Sequence, residues 1–281
     1  MATRRAVPGR QAAALLLVAG LLAPPGAHPA ANASCSAQSG RHTAALVELY
    51  TSEGCDSCPP ADRWLSGLAA RGYAPDRVVP LSLHVDYWDY IGWKDPYAKR
   101  EFATRQRKHA QMKRARIVYT PQVLVQGEDF REWRSAPAFD AMVSRINAQP
   151  PRAALRLELP RGHSGGAASG HRDGHLEARL VATLAERGAA AEHAVFVAAY
   201  ENKLSGRVTA GENRGRTLEH DYVVREWVGP LAFDASGRLE QALRLPMLPG
   251  ADPRQSGVAA FVQGRSGGEV LQALMLPVCG G

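Results

Sequence analysis

The chain has 281 residues, of which 45% are hydrophobic and 22% are charged. This composition is typical of a folded globular protein, and the length fits one large domain or two smaller ones. Three of the 34 basic residues lie at the extreme N-terminus, so the rest of the chain has only a small excess over the 27 acidic residues. That small excess gives no electrostatic case for nucleic-acid binding.

Residues 1–33 have the pattern of a secretory signal peptide. Three arginines precede an apolar run at residues 12–23, and a small-residue A-x-A sequence follows at residues 31–33. This order is typical of exported proteins, so we predict a periplasmic or secreted location. A retained N-terminal anchor is the alternative. No later stretch reaches the ~20 consecutive apolar residues of a membrane helix, so we expect no stable membrane span once the leader is removed.

Residues 43–147 alternate between strand and helix patterns. Strands joined through helices are expected to be parallel, and a closing hairpin antiparallel. We therefore predict an α/β domain over residues 34–149. Its predicted strands are residues 44–51, 78–86, 123–126 and 130–133, and its predicted helices are residues 61–71, 95–112 and 137–146.

Pro150 and Pro151 mark a predicted boundary, beyond which helical periodicity largely disappears. Short apolar runs separated by turn-rich pieces predict an all-β, sandwich-like domain over residues 150–281. A stretch rich in glycine, serine and histidine at residues 161–174 predicts a mobile hairpin tip. The predicted strands are residues 153–159, 176–184, 194–201, 222–228, 242–245, 258–263 and 270–276.

The chain has four cysteines, and an even number in an exported protein favours disulfides. Cys55 and Cys58 are close enough to pair with each other. Cys35 and Cys279 lie near the two ends of the mature chain. Because chain ends are often close together in compact proteins, we predict a structural disulfide between them. Two unpaired thiols at frayed ends are the alternative.

Cys55 and Cys58 form a C-x-x-C sequence between the first predicted strand and the first predicted helix. A helix N-terminus stabilises a thiolate, and the spacing lets one sulfur resolve a mixed disulfide formed at the other. Pro59 and Pro60 require the helix to begin near Cys58. We therefore predict that Cys55 is the more exposed, attacking nucleophile and that Cys58 is the resolving cysteine.

The C-x-x-C has two other interpretations, a zinc site and a static disulfide. A zinc site needs two further ligands at suitable spacing, which the sequence lacks, so we expect no metal and no bound cofactor. A structural disulfide that does not exchange with any substrate is an alternative that the sequence leaves open. If the pair is catalytic, Asp56 and the following prolines disfavour the Cys55 thiolate, which favours reductase or isomerase behaviour over oxidase behaviour.

Several short sequences resemble a family of secreted bacterial thioredoxin-like proteins catalogued as domain of unknown function 1223. They are L-Y-T-S-E-G-C at 49–55, P-P-A-D at 59–62, H-V-D-Y-W at 84–88, K-D-P at 94–96, Y-T-P-Q at 119–122, A-G-E-N at 210–213, H-D at 220–221 and V-V-R at 223–225. The resemblance implies a thioredoxin-like fold for the first domain. It implies no established activity.

The broader thioredoxin superfamily implies roles for three more residues. Its active site places a cis-proline opposite the C-x-x-C, which Pro121 matches, and the backbone of Thr120 would pair with a substrate strand. Glu48 resembles the buried carboxylate that accepts a proton from the inner thiol, and is the candidate proton acceptor. Pairing of Glu48 with a nearby basic residue is the alternative.

Trp88 belongs to an aromatic stretch, residues 87–93, that follows the second predicted strand. It is expected to border the cysteines and bind substrate polypeptide; packing as core is the alternative. Together these features predict a thiol–disulfide oxidoreductase acting on exported protein thiols or disulfides, with an electron donor that the sequence does not identify. The alternative is a non-catalytic binding or envelope-assembly module, whose C-x-x-C is structural or holds copper together with His84.

Overall fold

The computed structural model describes residues 1–3, 35–160, 171–172, 174–248, 250–266 and 268–279. The predicted signal peptide and most of the predicted hairpin tip therefore lie outside the described residues. No helix within those ranges combines the length and the apolar character that crossing a membrane requires.

The described chain is 40% strand and 22% helix. Its α-helices are α1 (Pro59–Ser66), α2 (Arg100–Met112) and α3 (Ala136–Asn147). Its strands are β1 (Cys35–Gln38), β2 (Ala45–Thr51), β3 (Val78–His84), β4 (Gln122–Val125), β5 (Glu128–Asp129), β6 (Ala153–Leu159), β7 (His171–Arg172), β8 (His175–Leu184), β9 (His193–Glu201), β10 (Leu204–Arg207), β11 (Thr217–His220), β12 (Val223–Leu231), β13 (Arg238–Pro246), β14 (Ser256–Gly264) and β15 (Val270–Pro277).

One mixed sheet of eight strands organises the molecule, in the order β15-β14-β9-β12-β3-β2-β4-β5. Strand β3 runs parallel to both β2 and β12, whereas the other neighbours are antiparallel. A second sheet has the order β1-β6-β8-β13, with β7 on β8, and β10 pairs with β11 in a separate ribbon.

The predicted fold class is wrong. Strands from before and after residue 150 share the large sheet, so the chain is not an α/β thioredoxin-like domain followed by a β sandwich. The physical reason is that β3 would otherwise present unpaired backbone groups at an edge, and β12 pairs with that edge and continues the sheet. Residues 34–281 form one compact unit, and the predicted boundary at 149/150 falls inside it, between α3 and β6.

Many individual elements agree with the sequence-based prediction. The order β-α-β-α-β-β-α is confirmed from β2 to α3, as is a strand at each of the seven later apolar runs. Residues 130–133 are not a strand: the second strand of the hairpin is β5, and the chain turns after it, with Phe130 and Trp133 packed in the core cluster of α3. Helix α2 begins at Arg100, later than predicted, and strands β1, β7, β10 and β11 were not predicted.

The core consists of layers on both faces of the large sheet. The second sheet packs on the face of β9, β14 and β15. Helices α1 and α3 cover one face of β2 and β3, and α2 covers the other. Strands β2, β3 and β14 are buried along their whole length, whereas β6 alternates between buried and exposed residues. Continuous burial is typical of strands covered on both faces.

Cys35 and Cys279 form a disulfide with a Cα–Cα distance of 5.8 Å. It joins β1 of the second sheet to the segment that follows β15 of the large sheet. This is the pairing predicted from the positions of the two cysteines near the chain ends.

Candidate functional site

The C-x-x-C lies in a tight turn between β2 and α1. The amide of Cys55 donates to Ser52 O over 3.2 Å, and the amide of Cys58 donates to Cys55 O over 3.2 Å. Cys58 is the N-cap of α1 and Pro59 is its first residue, as the two prolines predict. Cys55 and Cys58 form a disulfide with a Cα–Cα distance of 5.5 Å.

Neither cysteine is exposed. Cys55 and Cys58 are both 0% exposed, whereas Asp56 and Ser57 between them are exposed. The prediction that Cys55 is the more exposed sulfur is therefore wrong for this disulfide-bonded structure. A helix N-terminus determines which groups face a sulfur atom, but other parts of the chain determine whether solvent reaches it.

A segment between β10 and β11, residues 210–216, holds this turn; we refer to it as the cover segment. The Asn213 side-chain amide donates to the carbonyl oxygens of Glu53 and Cys55, each over 2.8 Å. The Glu212 carboxylate accepts from the amide of Asp56 over 3.0 Å. Asn213 itself is 0% exposed. The cover segment therefore fixes the backbone on both sides of Cys55.

A glycine lets the cover segment approach this closely. Gly211 has φ +71°, and a Cβ there would lie 3.1 Å from Ile91 and 3.3 Å from Trp93. Both the left-handed backbone and the close approach favour glycine over any other residue.

The predicted substrate-binding residues lie beside the turn. The peptide bond between Thr120 and Pro121 is cis, as the resemblance implies. Ser57, Thr120, Pro121 and Trp133 are among the residues that line a cavity of about 390 Å³. The indole of Trp88 donates to the Thr120 hydroxyl over 2.7 Å. The structure thus brings the C-x-x-C turn together with Thr120 and Pro121. Trp88 is connected to them by its hydrogen bond to Thr120.

Glu48, the candidate proton acceptor, is paired with a basic residue, which is the alternative stated above. Arg105 Nε lies 2.6 Å from Glu48 Oε1. Burial works against the charged carboxylate, but the charge and hydrogen bond of Arg105 hold the pKa of Glu48 below its usual value. Because side chains alternate along β2, Glu48 shares the α2 face with Leu46 and Tyr50, away from the face that packs on α1.

Five buried side chains adjoin the C-x-x-C turn; we refer to them as the histidine–carboxylate cluster. Each is at most 5% exposed: Glu53, Asp62, His84, Asp95 and His220.

The two histidines of the cluster each have a carboxylate partner. His84 Nδ1 lies 2.7 Å from Asp95 Oδ2, and His220 Nε2 lies 3.2 Å from Glu53 Oε1. The imidazole rings meet edge to face, with centroids 4.9 Å apart. Asp95 also accepts the amide of Glu53 over 2.8 Å, which ties the cluster to the C-x-x-C turn.

Burial and charge have different net effects within the cluster. Burial opposes the charged imidazolium, but the charge and hydrogen bond of Asp95 raise the pKa of His84. Burial likewise opposes the carboxylate of Asp95, but His84 lowers the pKa of Asp95. At Asp62 burial prevails and raises the pKa, although His220 and His84 partly offset it. The shifts therefore favour the charged forms of His84 and Asp95, whereas at Asp62 the carboxylate is less favoured than in an exposed aspartate.

Three polar groups of the cluster have no hydrogen-bond partner among the described residues. They are the Asp62 carboxylate oxygens, His84 Nε2 and His220 Nδ1. Within the same ranges, no set of three or more His, Cys, Asp or Glu side chains is arranged to hold a metal ion.

Sequence reasoning assigned no role to Glu53, Asp62, Asp95, Asn213 or His220. The signal was present, because all five belong to the short sequences that resemble the family. Polar residues in such sequences that have no turn or cap to form are candidates for a shared site. What the sequence does not give is that residues 53, 62, 95 and 220 meet in space.

Two solved structures share the overall architecture. Protein AGR_C_4864 from Agrobacterium tumefaciens is 24% identical with a TM-score of 0.58, and the match covers 85% of this chain and 96% of that one. HBP35 of Porphyromonas gingivalis is 16% identical with a TM-score of 0.62, and the match covers 85% of this chain and 76% of that one. At these identities the likeness concerns the fold alone.

No curated protein matches the chain significantly. A family model does match, over residues 46–263, which include the cysteine pair, the cover segment and the whole histidine–carboxylate cluster. The chain therefore belongs to the family described as protein of unknown function DUF1223.

Proposed function

We propose that the protein is an exported thiol–disulfide oxidoreductase, reductase or isomerase-like, that acts on envelope or secreted proteins. The observation that carries the proposal is the position of the Cys55–Cys58 disulfide, at the N-terminus of α1 and next to the cavity lined by Ser57, Thr120 and Pro121. A helix N-terminus stabilises a thiolate, and the cavity gives a substrate polypeptide a place beside it. The proposed chemistry is thioredoxin-like, although the fold class is not the predicted one.

In the reducing direction, the Cys55 thiolate attacks a substrate disulfide and forms a mixed disulfide, releasing one substrate thiolate. Cys58 then attacks Cys55 Sγ, which reforms the internal disulfide and releases the second substrate thiolate. The exposed carboxylate of Asp56 adjoins Cys55 and opposes its thiolate. A less stable thiolate makes the reduced protein a better reductant, which supports reductase or isomerase behaviour.

Both sulfurs are buried, so exchange requires the turn to open, and the cover segment that is bonded to the turn has to release it. Its hold on the turn consists of three hydrogen bonds, two from Asn213 and one to Glu212. A hydrogen bond contributes about 0.5–1.5 kcal/mol net. The free energy of substrate binding is therefore enough to offset the loss of these three bonds.

An exported location supports the same proposal. The signal-peptide pattern of residues 1–33 directs the chain out of the cytoplasm. The Cys35–Cys279 disulfide suits an oxidising compartment.

Insulin reduction by dithiothreitol tests the activity. We expect the wild-type protein to accelerate the precipitation of insulin chains, and Cys55→Ser to give no acceleration. A wild-type rate equal to that of Cys55→Ser would contradict the proposal. The partners are then identified with Cys58→Ala, which should accumulate mixed disulfides with exported proteins detectable by mass spectrometry, against Cys55→Ser/Cys58→Ala as the matched control.

The burial of both sulfurs also favours a second candidate, a non-catalytic binding or envelope-assembly module with a structural disulfide. This candidate predicts no insulin reduction and no mixed disulfides. Its copper-binding form predicts that the reduced wild-type protein binds Cu(I) in metal analysis and that Cys55→Ser does not.

A further inference from the structure

We propose that Asp62, together with His220, exchanges the proton of the Cys58 thiol with solvent, through a small cavity between α1 and β11. The inference rests on the proposed function, because it gives the resolving cysteine its acid and base. It assigns to a helix residue the role that sequence reasoning sought at Glu48 in β2.

Asp62 lies one helical turn after Cys58. Its amide donates to Cys58 O over 3.1 Å, so the two side chains occupy the same face at an i, i+4 spacing. Asp62 is 5% exposed, and its carboxylate oxygens lie beyond ordinary hydrogen-bond distance of the described donors, with only a weaker contact from the Thr51 hydroxyl that lowers its pKa. This carboxyl group, one turn from Cys58 on the same face of the helix, is the acid and base that the proposal assigns to the Cys58 sulfur.

His220 connects Asp62 to the rest of the cluster. Its Nδ1 lies 3.9 Å from Asp62 Oδ2 and has no other partner among the described residues, while its Nε2 is held by Glu53. The ring is therefore held by Glu53 while its free nitrogen lies near Asp62. A separation of 3.9 Å is longer than a hydrogen bond, so transfer needs a small movement or a bridging water.

A cavity of about 130 Å³ reaches this pair of residues. Asp62, His220, Arg63, Thr217 and Glu219 are among its lining residues, and the last three are exposed. Since a water molecule occupies about 30 Å³, the cavity has room for a short chain of waters. It shares no described lining residue with the cavity beside Thr120 and Pro121, so protons and substrate have separate routes.

The charged groups around Asp62 come from every element packed on it. Arg63 lies beside it on α1, Glu219 and His220 lie on β11, and the His84–Asp95 pair lies behind it on β3 and the loop that follows. Glu53 reaches it through His220. The other carboxylates oppose the effect of the positive groups on the pKa of Asp62. Burial therefore remains the main influence on that pKa and raises it.

The proton balances in both directions of exchange. When a substrate thiolate attacks Cys55 Sγ, the internal S–S bond breaks and its electron pair leaves on Cys58 Sγ, which takes the proton of the Asp62 carboxyl. The Asp62 carboxylate is then reprotonated by solvent through His220. In the reverse direction, Asp62 removes the proton of the Cys58 thiol as Cys58 attacks the mixed disulfide, and the substrate sulfur leaves as thiolate.

A structural role and a proton-exchange role predict opposite effects on stability. Because the folded pKa of Asp62 is raised, the group favours the folded state below its unfolded pKa and loses that contribution as the pH rises through the folded value. At pH 7 the carboxyl is therefore a cost, since burial of a carboxylate without a partner is unfavourable. Removal of the charge by Asp62→Asn should raise the free energy of unfolding at pH 7. A structural residue would lower it.

The experiment uses the full chain with Asp62→Asn, Asp62→Glu and, as a matched control on an exposed turn, Asp76→Asn. We measure urea unfolding at pH 7, the ¹³Cβ titration of Cys58 in the reduced protein, and the pH profile of exchange with insulin. Asp62→Asn should be more stable than wild type. It should lower the Cys58 thiol pKa by about one unit, because a negative neighbour is removed. It should also slow exchange about a hundredfold below neutral pH. Asp62→Glu should retain most of the rate.

The outcomes separate the two proposals. If wild type exchanges thiols and Asp62→Asn matches it in Cys58 titration and pH profile, the role of Asp62 is overturned and the oxidoreductase stands. If Asp62→Asn does not fold, Asp62 is structural and the inference is overturned. If wild type does not exchange thiols, the proposed function fails, and an unchanged Cys58 titration in Asp62→Asn would overturn the coupling independently.

Discussion

The His84–Asp95 pair is a charged pair with both side chains 0% exposed. Burial of two charges is costly, and their attraction offsets that cost only while both remain ionised. Asp95 also accepts the amides of Glu53 and Tyr97, so both of its carboxylate oxygens are hydrogen-bonded. The pair therefore helps to fix the turn that leads into the cysteines.

The pH dependence of this pair follows from the directions of the two pKa shifts. The pKa of His84 is raised, so its contribution is complete below about 6.5 and is lost as the pH rises through the folded value. The pKa of Asp95 is lowered, so its contribution is complete above about 3.9 and is lost as the pH falls through the folded value. The pair stabilises the protein most between these limits.

We expect His84→Gln to lower the free energy of unfolding by about 3 kcal/mol at pH 6, because Asp95 is left buried without a charged partner. The loss should be smaller at pH 9. Urea denaturation at both pH values measures it, with His42→Gln, a side chain outside the cluster, as control. Equal losses at pH 6 and pH 9 would show that the charge of His84 is not what stabilises the fold.

At the scale of residues, features that depend on residue type and spacing along the chain could be predicted from the sequence. The cysteine pairs and the helix start at Pro59 agree with expectation. The cis bond before Pro121 agrees with what the resemblance implies, not with any local pattern of residues. Exposure is a property of the assembled chain, so the burial of Cys55 and the partner of Glu48 could not be derived from local pattern.

At the scale of elements, the cover segment connects parts of the chain that are distant in sequence. Asn213 bonds to the carbonyl of Cys55 across 158 positions. Its side-chain amide donates to two buried carbonyl groups at once. A shorter side chain without an amide would leave both carbonyl groups without this donor.

We expect Asn213→Ala to lower the free energy of unfolding by about 2 kcal/mol, because two buried carbonyl groups lose their donor. It should also speed the reduction of the Cys55–Cys58 disulfide by dithiothreitol, measured by alkylation and mass spectrometry. Asn202→Ala is the matched control, since it removes an Asn side chain that accepts the amide of Tyr222 instead. If both variants are reduced at the wild-type rate, the cover segment does not control access to the sulfurs.

Periodicity located most strands and helices, because the pattern of apolar residues depends mainly on which face of each element is buried. It missed β10 and β11, the short ribbon that carries the cover segment, because runs of four residues leave little pattern to detect. The ribbon whose connecting segment bonds to the C-x-x-C turn was therefore among the elements that the sequence did not indicate.

At the scale of the whole molecule, the large sheet makes the two chain halves depend on each other. Val224 of β12 and Phe261 of β14 belong to the same core cluster as Leu81 of β3. A fragment that ends at residue 149 would expose this cluster and leave the edge of β3 without a partner.

We expect residues 34–149 alone not to fold cooperatively, whereas residues 34–281 should unfold in one transition. Urea denaturation followed by circular dichroism, together with size-exclusion chromatography, distinguishes the two. A fragment that is monomeric and unfolds cooperatively would support the predicted boundary at 149/150 as a domain boundary.

The sequence did contain a sign of this arrangement. Residues 194–200 read A-V-F-V-A-A-Y, a nearly continuous apolar run, and β9 is buried along almost its whole length. Such a run is typical of a strand covered on both faces rather than of a sandwich strand with one wet face. Pairing partners are set by contacts distant in sequence, so the run indicates a central strand without naming its neighbours.

The two halves of the large sheet meet along a narrow join. Strand β12 pairs with β3 at one ladder position, Val223 with Ser82, beside a hydrogen bond of 2.8 Å from the Ser82 amide to Tyr222 O. On its other side β12 pairs with β9 over most of its length. Local opening begins where the fewest hydrogen bonds hold two strands together. His84 ends β3 just after Ser82, and His220 ends β11 just before Val223. A fluctuation that parts β12 from β3 would therefore wet the imidazoles first, before any other strand of the sheet is disturbed.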